Sequence, residues 1–283
     1  MKPKRYTFML EAIEPVTHSD TLTGIDNVTN IRLFMRSAML IDGVPVRVPD
    51  ISENALRTVV FRIPLALHLL AVLAVAKGSL PQAVTNLLFS GGNMAAGSKS
   101  PSDEIEVAHR IRELYPTLEL LGGAVDTFIL PRSRLRVAAW PVTREFVGAL
   151  HHVAPELVDD AEQVSVFDLL SEEVRTRGTG SDSDGNQMLY EYEVLAAGAR
   201  FFVEVTLEGA TSPAAEAAVA VAVDQWDGYF GGQARQGRGR MAVQQPNLPD
   251  PDVYLAHIDS NVESMRAGLL DGTLGSGKAV CGP

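Results

Sequence analysis

Met188-Leu-Tyr-Glu-Tyr-Glu-Val-Leu195, then Ala196-Ala-Gly-Ala199, then Arg200-Phe-Phe-Val-Glu-Val-Thr-Leu207 is the stretch whose reading decides the fold. Its two outer runs are rich in aromatic and β-branched residues and alternate in polarity, so each reads as a strand. The small residues Ala197-Gly198 join them. Directly downstream, Ser212-Pro213 and Glu216 open an alanine-rich helix reaching about Trp226. Serine accepts the free N–H groups of a first helical turn, and proline at the first position gives up a donor that has no partner there. A strand over 239–244 follows, so the chain from 188 onward runs strand, strand, helix, strand.

Upstream, residues 5–13 read as a strand, and residues 30–48 as a hairpin turning at Asp42-Gly43, a two-residue turn signal. Asp50 or Ser52 then caps a helix over 53–77, which Pro64 should kink or break. Residues 90–102 are a Gly/Ser-rich loop, and Ser100-Pro101 with Asp103 and Glu104 starts a helix ending near Tyr115-Pro116. Two short strands over 126–142, a short helix over 143–153 and a polar low-complexity loop over 178–186 come next. With 14–52 and 78–187 set aside as insertions, the order becomes strand 5–13, helix 53–77, strand 188–195, strand 200–207, helix 213–226, strand 239–244. That is an α+β fold of the ferredoxin-like/RRM-like βαββαβ pattern, with two helices on one sheet face and the other face free for a ligand. Asp250-Pro251-Asp252 caps a last helix beyond it.

The bulk composition narrows the function. The 283 residues are 46% hydrophobic and 21% charged, enough for a sizeable core. A net charge of −11 argues against binding nucleic acid through a generally basic surface. It leaves room for a local basic groove, since salt screens distant charge. The lone Cys281 leaves no intrachain disulfide and no cysteine zinc site, which points to a reducing cytoplasm. The most apolar stretch, 65–76, is too short to span a bilayer and carries His68, so no membrane partner is expected.

Against that acidic background, Gly231-Gly-Gln-Ala-Arg235-Gln-Gly237-Arg238-Gly239-Arg240 places four glycines and three arginines in ten residues. Glycine lets backbone N–H groups approach a ligand, and the arginine fork matches phosphate oxygens. The competing reading is a sharp turn with solvated arginines. Ser52 and Asn54 lie among the free N–H groups of a helix start, where phosphate is attracted, with Arg57 a turn further in; plain capping competes with this. His18, after the first strand, offers a base, a ligand or an RNA contact, although a lone histidine is more often structural. Asp20 and Asp26 match no known metal site. Arg132, Arg134 and Arg136 alternate along a strand and so share a face. Arg175 and Arg177 precede the polar loop carrying Asp182 and Asp184. The run 272–279 nearly spells a P-loop but lacks the hydroxyl residue after Lys278 and the strand–loop–helix setting, so it reads as tail.

With those residues in hand, the chain resembles the CRISPR RAMP superfamily, and most the crRNA-binding backbone subunit of a type IV effector. The resemblance is carried in order by residues 15–19, by Asp42-Gly43 through Pro49, by 51–57, by Tyr190, Glu193 and Ala197-Gly198 with Phe201 or Phe202, and by 231–240. Glu53 stands where relatives usually carry glycine. The resemblance implies a single RRM-like palm over 1–283, finger and web insertions at 14–52 and 78–164, a thumb hairpin at 165–190 and a flexible tail at 272–283. It implies RNA contacts from His18, Ser19, Arg36, Ser52, Asn54, Arg57, Arg132, Arg134, Arg175, Arg177, Gly231, Gly232, Arg235, Gly237, Arg238 and Arg240. The implied partners are guide RNA (crRNA), copies of the chain in a helical or arc-shaped multimer, other CRISPR effector subunits, and target nucleic acid through the guide. No cofactor, metal or catalytic residue is expected. Two alternatives stay open: a target-RNA endoribonuclease using a thumb aspartate, and a ferredoxin-like enzyme holding a nucleotide or small phosphate ligand.

Overall fold

The computed structural model describes residues 2–19, 31–94, 104–126, 128–129, 133–177, 188–271 and Leu274. Its strands, in chain order, are β1 (Lys4–Ala12), β2 (Ile31–Arg32), β3 (Arg36–Ile41), β4 (Val44–Pro49), β5 (Gly92–Met94), β6 (Ala124–Asp126), β7 (Phe128–Ile129), β8 (Leu135–Pro141), β9 (Leu170–Arg177), β10 (Met188–Leu195), β11 (Arg200–Leu207) and β12 (Met241–Asn247). The main sheet has the order β12-β1-β11-β8, and every pair in it is antiparallel. β2, β10 and β9 form a second sheet, β3 and β4 a hairpin, and β5, β6 and β7 a small third sheet. The β3–β4 turn falls at Asp42-Gly43, both with positive φ, as the sequence indicated.

One strand is not where the sequence reading put it. β10 was expected beside β11 in the main sheet. It pairs instead with β9, from Leu195 opposite Leu170 to Met188 opposite Arg177, and β8 takes the sheet edge next to β11. The turn after β10 explains the difference. Leu195 and Val16 exchange both backbone bonds, at 2.8 and 2.9 Å, and the Gly198 N–H donates to the Ala12 carbonyl at 2.7 Å. The chain is therefore tied to the end of β1 at this point and does not fold β10 back onto β11. β8 suits the vacated edge because Leu135 and Val137 are buried while Arg136 and Ala138 are exposed, the pattern of a strand with one core face.

The helix over Glu53–Val72 is continuous, with a π-helical segment at Arg57–Arg62. The Ile63 N–H bonds to the Thr58 carbonyl, five residues back. Pro64 follows, with no N–H to donate and a ring that crowds the carbonyl four residues earlier, and the widened turn makes room for it. The helix stops before the expected residue 77, and Ala74 turns away with φ 50°. By length and composition this helix is apolar enough to cross a membrane, but Leu56, Val60, Phe61, Leu65, Ala66 and Leu69 are spent on the protein core.

That core lies on one face of the main sheet. Phe8 and Leu10 of β1 and Phe201, Val203 and Val205 of β11 meet the Glu53–Val72 helix and the Pro213–Gln225 helix. Each such side chain contributes about 1.5–3 kcal/mol on burial. The second helix is capped by Ser212, whose side chain accepts from the Ala215 N–H at 3.1 Å. It is apolar and alanine-rich almost all round because the Asp252–Leu270 helix packs on it as well. The Asp250 carboxylate caps that last helix at the Asp252 N–H, 3.0 Å away.

The opposite sheet face, expected to be free, is half covered. Met9 and Phe202 point to it and pack with Val142, Leu150, Ala154, Leu157, Val158 and Ala161. The short helices Val147–Val153 and Val158–Ala161 supply that cover. Two large apolar side chains on this face call for a lid, which the alternation of β1 and β11 contained but the sequence reading did not weigh.

Candidate nucleic-acid interface

The Ala12 end of β1 is where the separated motifs converge. Residues 15–19 leave β1 and run beside the Gly/Arg loop, which leads into β12. The Gly232 N–H donates to the Thr17 carbonyl at 3.1 Å, and the Thr17 hydroxyl donates to the Gly232 carbonyl at 2.8 Å. Gly231 has φ +81°, and a Cβ there would stand 1.9 Å from the Thr17 carbonyl oxygen. Gly239, with φ +90°, donates to the Pro15 carbonyl at 2.9 Å, and a Cβ there would stand 2.4 Å from the Phe230 carbonyl oxygen. These glycines are needed for close backbone approach, a stricter demand than a mobile loop makes.

His18 sits at the centre of this junction. Its ring meets Phe34 edge-on at 5.9 Å and Phe230 at 5.3 Å, and its Nε2 lies 3.4 Å from the Ser52 hydroxyl. Ser52 is the N-cap of the Glu53–Val72 helix, its hydroxyl accepting from the Ala55 N–H at 3.3 Å. The first loop, the helix start and the Gly/Arg loop therefore form one surface, with Ser19, Asn54, Gly231 and Gly232 exposed on it or at its rim. Asp50, beside the cap, has its carboxyl pushed above the ordinary range by burial, against bonds from the Ser37 hydroxyl and the Ile51 N–H that favour its charged form.

The arginines divide into three groups. Arg235 and Arg240 are exposed on the Gly/Arg loop, and Gly237 between them has φ +71° with open space around it. Arg238 departs from the expectation of an RNA contact: it is 1% exposed and pairs with Glu173 of β9 and, at 2.9 Å, with the Gln233 side chain. Arg36 pairs with Glu193 of β10, whose other oxygen accepts from the Phe34 N–H at 2.8 Å. With Arg47, Phe167 and Glu172 it lines a polar cleft of about 540 Å³ between the β3–β4 hairpin and the base of β9–β10.

The remaining expected contacts lie elsewhere. Arg57 turns inward, donating to the Leu121 carbonyl at 3.4 Å. Beside it the buried Arg62 donates to the carbonyls of Leu87, Leu121 and Gly122 at 3.1–3.2 Å. Burial and the charge of Arg57 lower Arg62 to about 10. Both cations thus satisfy carbonyls at helix ends, where the helix dipole is negative. Arg134 precedes β8, at the Leu207 end of the sheet and on the edge away from β12, with its guanidinium against Gly209. Arg136 there pairs with Glu208 at 3.3 Å. Arg132, Asp20, Asp26, Asp182, Asp184 and the P-loop-like tail apart from Leu274 lie outside the described residues. Arg175 and Arg177 fall in β9 opposite Tyr190 and Met188, far along the hairpin from its base.

No protein-family model and no curated protein matches the chain. A chain of a solved Type IV-B CRISPR complex is similar in structure, with a TM-score of 0.59 and 18% identity over 90% of this chain and 98% of that one. The two chains share a fold. A chain of the Type III-B Cmr-beta complex bound to cognate target RNA, solved by cryo-EM, scores 0.47 at 11% identity, covering 85% of this chain and 96% of that one.

Sequence reasoning passed over Phe34, Phe230, Glu173 and Tyr192. Phe230 adjoins Gly231 and was legible as an aromatic beside a glycine pair. The other three act through contacts 16 to 65 residues apart in sequence, and nothing local marks them.

Proposed function

We propose that this chain is a crRNA-binding backbone subunit of a type IV-like CRISPR ribonucleoprotein, multimerising along guide RNA in the cytoplasm as part of a defence against foreign nucleic acid. The observation that carries the proposal is the joining of residues 15–19, the Ser52 helix start and Gly231-Gly232 into one surface around His18. This comes in a chain whose fold runs nearly end to end with that of a Type IV-B CRISPR complex chain. In this reading the main sheet and its two helices are an RRM-like palm, with β8 in the place first given to β10. The β3–β4 hairpin and the 78–164 segment are finger and web, and β9–β10 is the thumb. The exposed Arg235 and Arg240, the backbone of Gly231-Gly232 and the helix start hold phosphates. No step of bond cleavage is assigned to the subunit, and other effector subunits complete the particle.

The deciding experiment is size measurement of the purified chain before and after RNase, with extraction of any bound nucleic acid. The expected result is an arc or helix carrying single-stranded RNA, at about 6 nucleotides per subunit, that breaks down on RNase treatment. An RNA-free monomer or compact oligomer, indifferent to RNase and unable to take up added RNA, overturns the proposal and favours a small-ligand enzyme.

A further inference from the structure

Arg238 is the largest fully buried side chain in the protein among the described residues, although Arg235, Gln236, Gly237 and Arg240 beside it are exposed. Its position follows from its neighbours. Gly237 and Gly239 both have left-handed φ, +71° and +90°, and they reverse the chain on either side of it. The Arg238 side chain therefore enters the protein while Arg235 and Arg240 stay outside. Inside, the guanidinium meets the Glu173 carboxylate and the Gln233 amide oxygen, and lies 5.4 Å from the centre of the Tyr192 ring. Glu173 and Tyr192 are directly opposite one another in β9 and β10. One guanidinium thus grips both strands of the hairpin at once, by an ion pair to one and a ring contact to the other. Arg32 of β2 lies 5.9 Å from the same ring, and on the next pair along, Glu172 opposite Glu193, Arg36 holds Glu193.

We propose that Arg238 is a positioning residue that locks the β9–β10 hairpin onto the Gly/Arg loop through Glu173 and Tyr192, and that it does not contact the guide. This rests on the reading of the loop as guide-binding and the hairpin as a thumb. β2 and Arg36 hold β10 at its base, and Arg238 adds a contact from the Gly/Arg loop to both strands. The lock sets its angle relative to Gly231-Gly232, and with it the place along the RNA where the thumb crosses. Arg238 is buried and already paired, so it gives no counterion release of its own when RNA binds.

Three proteins test this: Arg238→Met, the double variant Arg238→Met/Glu173→Met, and the wild type. Two readouts are taken, amide hydrogen exchange of β9–β10 and RNA affinity as a function of salt. In Arg238→Met the hairpin amides should exchange faster by at least about tenfold, because no guanidinium then joins the two strands to the Gly/Arg loop. RNA affinity should fall several-fold with an unchanged salt slope. In the double variant, which lacks both sides of the same contact, exchange should be no faster and affinity no lower than in Arg238→Met, the non-additivity of two partners in one interaction. Should Arg238→Met fail to fold, recovery of folding in the double variant supports the lock, and continued failure overturns it. Unchanged exchange in Arg238→Met overturns it as well. So does a double variant with a protected hairpin but weaker binding and a salt slope lower by about 0.7, the signature of one lost phosphate contact on a single strand. If the wild type binds no RNA, the guide-binding reading has failed, and the exchange data alone still decide whether the lock exists.

Discussion

Gly231 passes Thr17 so closely that a Cβ on it would stand 1.9 Å from the threonine carbonyl oxygen. Gly237, six residues on, has a similar φ of +71° but nothing within 4 Å of where its Cβ would be. The two positions separate the conformational demand of the loop from its packing demand. Gly237→Ala should cost about 1–2 kcal/mol, the backbone penalty of left-handed φ for a residue with a Cβ. Gly231→Ala bears that penalty and must also break the Thr17–Gly232 pairing, so its loss should exceed about 3 kcal/mol. Urea unfolding midpoints of the two variants check this, and equal losses would show that the loop tolerates separation from residues 15–19.

In the proposed guide-binding reading, exposure and not sequence position separates the arginines of the loop that would bear on RNA. Replacing Arg235 and Arg240 together by alanine should weaken RNA binding alike for all sequences and lower the salt slope by about 1.4, two phosphates' worth on a single strand. Both side chains are exposed, and the fold should be unaffected, with a thermal midpoint close to the wild type. Titrations at several salt concentrations read the slope directly. A double variant with undiminished affinity and slope would reduce the loop to a turn.

How much of this was legible in advance differs by element. The Asp42-Gly43 hairpin, the Ser212-Pro213 helix start and the Asp250 cap are local devices, each fixed by two or three adjacent residues, and all three stand as read. The pairing of β10 is not local. Its polarity pattern suits either sheet, and the choice is made by Leu195 bonding to Val16, far away in sequence. The same holds for the site. Glycine-rich and helix-start motifs announced the surface. The inward turn of Arg57 depends on carbonyls at Leu121, and the burial of Arg238 on a carboxylate at Glu173, and no window around either arginine contains those partners.

Asp50, next to the Ser52 cap, gives the junction a pH signature. Burial raises its carboxyl above the ordinary value. A folded state with the higher carboxyl pKa binds the proton more tightly than the unfolded state. Its contribution to stability is complete below the unfolded-state value and is lost as pH rises through the folded-state value. At neutral pH the buried charge is therefore a net cost. Asp50→Asn, which keeps an oxygen to accept from Ser37 and the Ile51 N–H, should melt above the wild type at neutral pH. The gap should close on acidification below the ordinary carboxylate range. Thermal midpoints at the two pH values check this, and a gap that stays constant or widens in acid would contradict it.

The chain is expected not to cut RNA paired to its guide, even with Mg²⁺. The only aspartates of the polar loop, Asp182 and Asp184, lie outside the described residues, between the paired strand ends Arg177 and Met188. The loop sequence 178–186 has no histidine or lysine to act as a partner acid or base. The histidine of the candidate interface is at the other end of the hairpin. His18 adjoins Val16, which bonds to Leu195, and seven residues of extended strand separate Leu195 from Met188, about 23 Å. A partner acid or base for these aspartates would have to come from outside the loop sequence, from another part of this chain, a metal or another subunit. A labelled RNA complementary to the guide, incubated with the assembled particle and Mg²⁺, should stay intact. Cuts at regular intervals that disappear in Asp182→Ala or Asp184→Ala would replace the binding subunit with a thumb-aspartate ribonuclease.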